Sequence, residues 1–191
     1  MDDKIKLALI YGSARKGRFC DTVVNWVAGE IASHGGFAVN RIDPAVELAH
    51  ERTDGEAAPG ARTLWHRLAE ADAFLIVTPE YNHGYPAPLK SLIDSVGAEW
   101  HAKPVAFVSY GGVSGGLRAV EQLRQVFAEL HTVTIRDAVS FAGAWEQFDE
   151  KGNLLTPDRY QRSMGVLLSR LEWWAAALRA ARKAEPYTRA A

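Results

Sequence analysis

The 191-residue sequence predicts an α/β fold in which a parallel sheet is covered by helices on both faces. Three observations carry that prediction. Apolar runs alternate with helical patterns along the chain. The runs Ile5–Tyr11, Phe74–Thr78 and Val105–Tyr110 are apolar at nearly every position, as strands buried on both faces must be. Each of these runs also ends in a glycine- or proline-marked loop, and such loops face a common ligand crevice at the carboxyl ends of an open parallel sheet.

The elements follow in order. After the first strand, Val23, Val27 and Ile31 line one face of a helix, and Phe37–Ile42 is the second strand. The stretch from Pro44 to Gly60 is poor in large apolar residues and contains Asp54-Gly55 and Pro59-Gly60, so it reads as a long solvated loop. Beyond the third strand, Phe74–Thr78, prolines 86 and 88 open a helix that buries Leu89, Leu92 and Ile93 and exposes Lys90 and Asp94 as an i,i+4 pair. The fourth strand, Val105–Tyr110, precedes a helix whose apolar face is Leu117, Val120, Leu123, Phe127 and Leu130. In Val133–Val139 the preceding Thr132 begins an alternation that continues to Arg136, the mark of an edge strand. A last helix starts with Thr156 as N-cap and Pro157 at N1 and buries Tyr160, Met164, Leu167, Leu168, Leu171, Trp174 and Leu178. Five strands so arranged favour the flavodoxin-like order 2-1-3-4-5, in one domain over residues 1–191 with a frayed end from Glu185.

Composition narrows the partners. A formal net charge of -1 with mixed signs throughout leaves no basic face for nucleic acid and no polybasic membrane anchor. The charged start, Met1-Asp2-Asp3-Lys4, and the absence of long apolar runs predict a cytoplasmic protein with no membrane segment. A single cysteine, Cys20, excludes an intrachain disulfide and any multi-thiolate metal site, so redox chemistry must come from a bound cofactor; no metal ligands are assigned.

The first loop, Gly12-Ser13-Ala14-Arg15-Lys16-Gly17-Arg18, enters a helix N-terminus, where unpaired N–H groups and the helix dipole favour an anion, with the Ser13 hydroxyl and the Arg15 and Arg18 guanidinium groups suited to phosphate oxygens. Gly12-x4-Gly17 matches part of a nucleotide-triphosphate loop, but Arg18-Phe19 stands where Lys-Ser/Thr is required. Ser13-x-x-Lys16 lacks the companion motifs of penicillin-binding enzymes. The second loop, Pro79-Glu80-Tyr81-Asn82-His83, offers a stiffened backbone, an aromatic face and an amide for a flat heteroaromatic ring. The third, Ser109-Tyr110-Gly111-Gly112-Val113-Ser114-Gly115-Gly116, lets a ligand approach bare backbone.

From the first strand to about Phe141 these loops, and above all Pro79-Glu80-Tyr81-Asn82 continued through Leu89-Lys90 to Asp94, resemble the NAD(P)H-dependent FMN reductase family of flavodoxin-like proteins. The resemblance implies an enzyme that binds FMN, takes hydride from NADPH or NADH, and passes electrons to free flavin, a quinone, an azo compound or a similar small acceptor. It places the FMN phosphate at Ser13, Arg15 and Arg18, with Phe19 and Cys20 closing that loop, where family members commonly carry Ser or Asn in place of Cys20. The ring then lies against Pro79, Glu80, Tyr81, Asn82 and His83 and against Ser109, Tyr110, Gly111 and Gly112, with N–H groups of Tyr81, Asn82 and residues 110–112 stabilising charge on the reduced ring. No side chain is assigned as a catalytic acid or base, because the flavin does the hydride chemistry. The family also implies a homodimer or homotetramer, to which Trp100 and Trp145 would contribute a wall of the site.

Two other classes stay open at this point. A non-catalytic electron carrier or flavin-binding protein shares the fold, although flavodoxins tend to be strongly acidic. Gly112-Val113-Ser114-Gly115-Gly116 also matches a nucleophile elbow, but His131 is the one histidine after Ser114, and the acids between them, Glu121 and Glu129, lie on one helix, a poor basis for a hydrolase triad.

Overall fold

The computed structural model describes residues 4–51 and 63–187. Its centre is a parallel five-stranded sheet of order β2-β1-β3-β4-β5, the flavodoxin-like order read from the sequence. The strands are β1 (Ile5–Tyr11), β2 (Phe37–Ile42), β3 (Ala73–Pro79), β4 (Pro104–Gly111) and β5 (Val133–Ala142). β1 pairs with β3 from Leu7↔Ala73 to Tyr11↔Val77, and β3 with β4 from Phe74↔Val105 to Pro79↔Tyr110. The three carboxyl ends that carry the glycine- and proline-marked loops are therefore adjacent.

Alternation along the central strands divides the core into two layers. Leu7, Leu9, Leu75 and Val77 face α1 (Cys20–His34) and α6 (Pro157–Ala184), meeting Val23, Val27, Ile31, Met164, Leu168 and Leu171. Ala8, Ile10, Phe74 and Ile76 face α3 (Leu64–Ala69), α4 (Ala87–Asp94) and α5 (Leu117–Glu129), meeting Leu68, Leu89, Leu92, Val120, Leu123 and Phe127. β5 is an edge strand, as its alternation predicts, and its pairing with β4 shifts register between Val105 and Phe107. No described helix is long and apolar enough to cross a membrane.

Three expectations change. Pro44–Glu51 forms a helix, α2, where a loop was expected. Asp43 starts it: its carboxylate accepts the Ala45 N–H at 2.9 Å and its carbonyl accepts the Val46 and Glu47 N–H groups, with Pro44 set for the first turn. The Asp54-Gly55 and Pro59-Gly60 pairs lie outside the described residues. Trp100 lies in the core, not in a wall of the site. It is fully buried, its indole N–H donates to the Ile93 carbonyl at 3.1 Å, and it packs edge-on against Phe74 and Phe127. Leu117 and Trp174, assigned to buried faces, are 52% and 37% exposed. Leu117 is the first residue of α5, and Trp174 packs edge-on against the still more exposed Trp173. The i,i+4 pair holds, with Lys90 and Asp94 2.6 Å apart on the exposed side of α4.

Candidate active site

Gly12 leaves β1 against the end of β3. Its N–H donates to the Val77 carbonyl at 2.7 Å, and a Cβ there would fall 2.7 Å from the Thr78 Cα, so only glycine fits. The loop then runs to α1, whose N-cap, Phe19, provides no side-chain acceptor. The N–H groups of Lys16, Gly17, Phe19 and Cys20 meet no acceptor among the described residues. A helix end left open in this way is an anion site in waiting.

The cations of this loop have different fates. Arg18 is nearly buried and already committed. One guanidinium nitrogen donates to Asp43 at 2.8 Å, another contacts the second Asp43 oxygen, Nε donates to Asp21 at 2.9 Å, and Nη1 also reaches the Ser13 carbonyl. Burial alone would push the Asp43 carboxyl up, but Arg18 and the Ala45 amide outweigh it and hold it below its ordinary value. Arg18 is thus a brace tying the loop to α1 and to the start of α2, whereas the expectation made it a phosphate ligand. Arg15, by contrast, is exposed, has no carboxylate partner among the described residues, and lies with its guanidinium carbon 3.7 Å from the centre of the Tyr81 ring. The Ser13 hydroxyl is wholly buried and 2.8 Å from the Tyr81 hydroxyl.

After β3, Tyr81 and Gly84 exchange both backbone hydrogen bonds, at 2.9 and 3.0 Å, around Asn82 and His83. Both central residues have positive φ, 49° and 69°, the geometry of a primed two-residue turn, which asparagine tolerates better than most residues. Because Tyr81 N–H is spent on Gly84, it cannot be the charge-stabilising donor expected from the sequence. The N–H groups of Asn82 and His83 find no acceptor among the described residues. Glu80 is turned inward. Its carboxylate accepts from the Ser114 hydroxyl at 2.7 Å, the Arg118 N–H at 3.2 Å and the Arg118 side chain at 2.5 Å. Burial raises its pKa, but Arg118 and Ser114 overcome that and leave it lower than usual. This clamp joins the second loop to the third and to α5; the sequence offered Glu80 but no signal for its partner Arg118.

The third loop folds back tightly. Ser109 and Ser140 both donate to the Gly115 carbonyl, at 2.8 and 2.9 Å, and at Gly116, φ 86°, a Cβ would fall 2.7 Å from that of Ser109. Ser109, Tyr110 and Cys20, assigned to the cofactor, place their side chains in the core instead. Burial pushes the Cys20 thiol up despite the Tyr110 hydroxyl beside it, so it is a packing residue and no reactive thiolate. Phe19 is half-buried between Tyr110 and Phe148. Gly112 remains exposed, with the exposed Trp145 indole 4.0 Å from where its Cβ would lie. Ser114 has no histidine partner among the described residues: His131 bonds Tyr187 at 2.8 Å and packs against His101. The nucleophile-elbow reading therefore fails.

Between the first two loops lies a depression of about 440 Å³ lined by Ala14, Arg15, Tyr81, Asn82, Tyr85, Pro86, Ala87 and Pro88. A larger hollow is lined by β1, β2 and α3, away from the glycine loops. The residues present fit FMN: open amides and an unpaired arginine suit a phosphate, amides at Asn82, His83 and Gly112 without an acceptor among the described residues suit the polar edge of a ring, and Asp21, Asp43 and Glu80 are each paired with an arginine.

The family model for NADPH-dependent FMN reductase matches residues 5–146. A probable NADPH:quinone oxidoreductase 1 from Oryza sativa subsp. japonica is 35% identical over 178 residues, covering 86% of this chain and 89% of its own. An NAD(P)H:quinone oxidoreductase from Solanum tuberosum is 35% identical over 179 residues, covering 86% and 90%. A solved flavoenzyme NAD(P)H:(acceptor) oxidoreductase from Paracoccus denitrificans superposes with a TM-score of 0.63 at 20% identity over 89% of this chain and 97% of that one, a likeness of fold. With all three loops inside the matched span, the chain belongs to the NADPH-dependent FMN reductase family.

Proposed function

We propose that this protein is an FMN-dependent oxidoreductase that takes hydride from NADPH or NADH and passes electrons to a small-molecule acceptor of the quinone type, with free flavins and azo compounds as further candidates. One observation carries the reading: an uncapped α1 N-terminus with an unpaired Arg15 stands beside a turn whose central amides have no acceptor among the described residues, both at the carboxyl ends of adjacent strands. FMN, when bound, supplies the hydride acceptor and donor chemistry. The chain's part is positioning. Arg15 and the loop amides hold the phosphate, Arg18 keeps that loop in shape through Asp43 and Asp21, and the amides of Asn82, His83 and Gly112 supply fixed dipoles where negative charge develops. The Glu80–Arg118–Ser114 clamp fixes the turn relative to the third loop, and Trp145 shields the rim from water. Of the expected set, Arg15, Tyr81 and Asn82 line the depression, His83 and Gly112 are exposed, and Ser13, Pro79 and Gly111 are buried. Arg18, Phe19, Cys20, Glu80, Ser109 and Tyr110 support it from behind, and Tyr81 is taken up below. No catalytic acid or base is needed.

The reading includes one flavodoxin-like unit over residues 1–191, a cytoplasmic setting, and a homodimer or homotetramer in which the exposed Trp145 borders a partner chain. Steady-state oxidation of NADPH and NADH with FMN and a benzoquinone tests it. Turnover with parallel double-reciprocal lines, the mark of a site that must empty between half-reactions, supports the reading, and no turnover with either nucleotide rejects it.

A further inference from the structure

We infer that Tyr81 is a phosphate-recognition residue, whose hydroxyl lets the site distinguish FMN from unphosphorylated riboflavin, and that it is no stacking partner for the flavin ring. The inference rests on the FMN-binding reading and deepens it. Pro-Glu-Tyr-Asn in the second loop suggested an aromatic face for a ring, but both features of this side chain are engaged with the first loop. Its ring lies under the Arg15 guanidinium at 3.7 Å, and its hydroxyl is 2.8 Å from Ser13 Oγ, which also receives the Arg15 N–H at 3.4 Å.

Ser13 is completely shielded from solvent, whereas Arg15 is exposed and Tyr81 half-exposed. The depression between the loops is lined by Arg15 and Tyr81 and not by Ser13, so a ligand seated there meets those two residues before Ser13. A phosphate monoester only accepts hydrogen bonds at neutral pH, so a phenol that can donate or accept turns its proton toward it, and Arg15 supplies the opposite charge. Among the described residues no carboxylate competes for Arg15, because Asp21 and Asp43 hold Arg18 and Glu80 is held by Arg118 and Ser114. Tyr81 also begins the turn whose central residues, Asn82 and His83, have positive φ. A phosphate that fixes the Tyr81 ring therefore fixes the amides that meet the flavin, which links the two ends of the ligand.

The test measures binding of FMN and of riboflavin to the apoprotein by quenching of flavin fluorescence, for wild type and Tyr81→Phe. Losing a hydrogen bond to a charged group should weaken FMN binding roughly tenfold or more, while riboflavin affinity stays within about twofold. The retained riboflavin binding also shows that the variant is folded. Arg15→Lys, which keeps the charge but loses the planar fork over the ring, should lower the FMN-to-riboflavin ratio in the same direction. Equal losses for both flavins, or no loss for either, would overturn the assignment and return Tyr81 to the ring. A wild-type protein that binds neither flavin would instead overturn the FMN reading itself.

Discussion

Replacing Asp43 by Asn separates two jobs that one carboxylate performs. The amide keeps an oxygen for the Ala45 N–H, so the start of α2 stays capped, but the charge facing Arg18 is gone. Removing one partner of a buried pair costs about 3–5 kcal/mol at most. Here the cost is lower, because Arg18 and Asp43 are 9% and 22% exposed and Arg18 keeps Asp21 and the Ser13 carbonyl. A charged hydrogen bond contributes about 1.5–3 kcal/mol, and that is the expected loss at neutral pH. The sign with pH follows from the lowered carboxyl: its stabilisation is present above the unfolded value of about 3.9 and disappears as pH falls through the lower folded value. Urea unfolding of wild type and Asp43→Asn at several pH values should show the full gap at pH 7 and a closing gap below about pH 4. FMN affinity should fall with it, since the phosphate loop loses its brace. A gap under about 0.5 kcal/mol at pH 7, the scatter expected of ordinary surface substitutions, or one that widens on acidification, would refute the brace.

Three further substitutions probe the other parts of the site. Arg15→Ala should weaken FMN binding by about 1.5–3 kcal/mol while leaving the unfolding midpoint nearly unchanged; undiminished affinity in a flavin titration removes Arg15 from the site. Gly12→Ala forces a methyl against Thr78 and should cost about 1–3 kcal/mol of stability in urea unfolding along with most FMN binding, and an unperturbed variant would contradict the close approach of β1 and β3. Ser114→Ala removes one donor to Glu80 and should cost about 0.5–1.5 kcal/mol in thermal unfolding while NAD(P)H oxidation persists. Efficient ester hydrolysis by wild type that vanishes in this variant would revive the nucleophile.

The strands were legible because burial on both faces leaves an unmistakable apolar signature in β1, β3 and β4, and the strand order followed from it. The start of α2 does carry a local signal, Asp43 followed by Pro44, which the reading of Pro44 to Gly60 as a loop left unused. Within the site, the loops could be read and their internal wiring could not. Arg15 and Arg18 sit three residues apart in one loop, yet Arg18 is claimed by an aspartate at the end of β2. Glu80 likewise finds Arg118 across a gap of 38 residues. Such pairings depend on which strands are neighbours, and local sequence carries no record of them. Trp100 shows the same limit: a tryptophan between loop-like residues reads as exposed until Phe74 and Phe127 close around it.

If one crevice receives a hydride and then releases electrons, anaerobic titration of the FMN-loaded protein should show the two half-reactions in turn. Stoichiometric NADPH or NADH should bleach the oxidised flavin absorbance, and a benzoquinone added afterwards should restore it in full without further nucleotide. Bound flavin that neither nucleotide bleaches, or that stays bleached after the quinone is added, would rule out a single crevice serving both half-reactions.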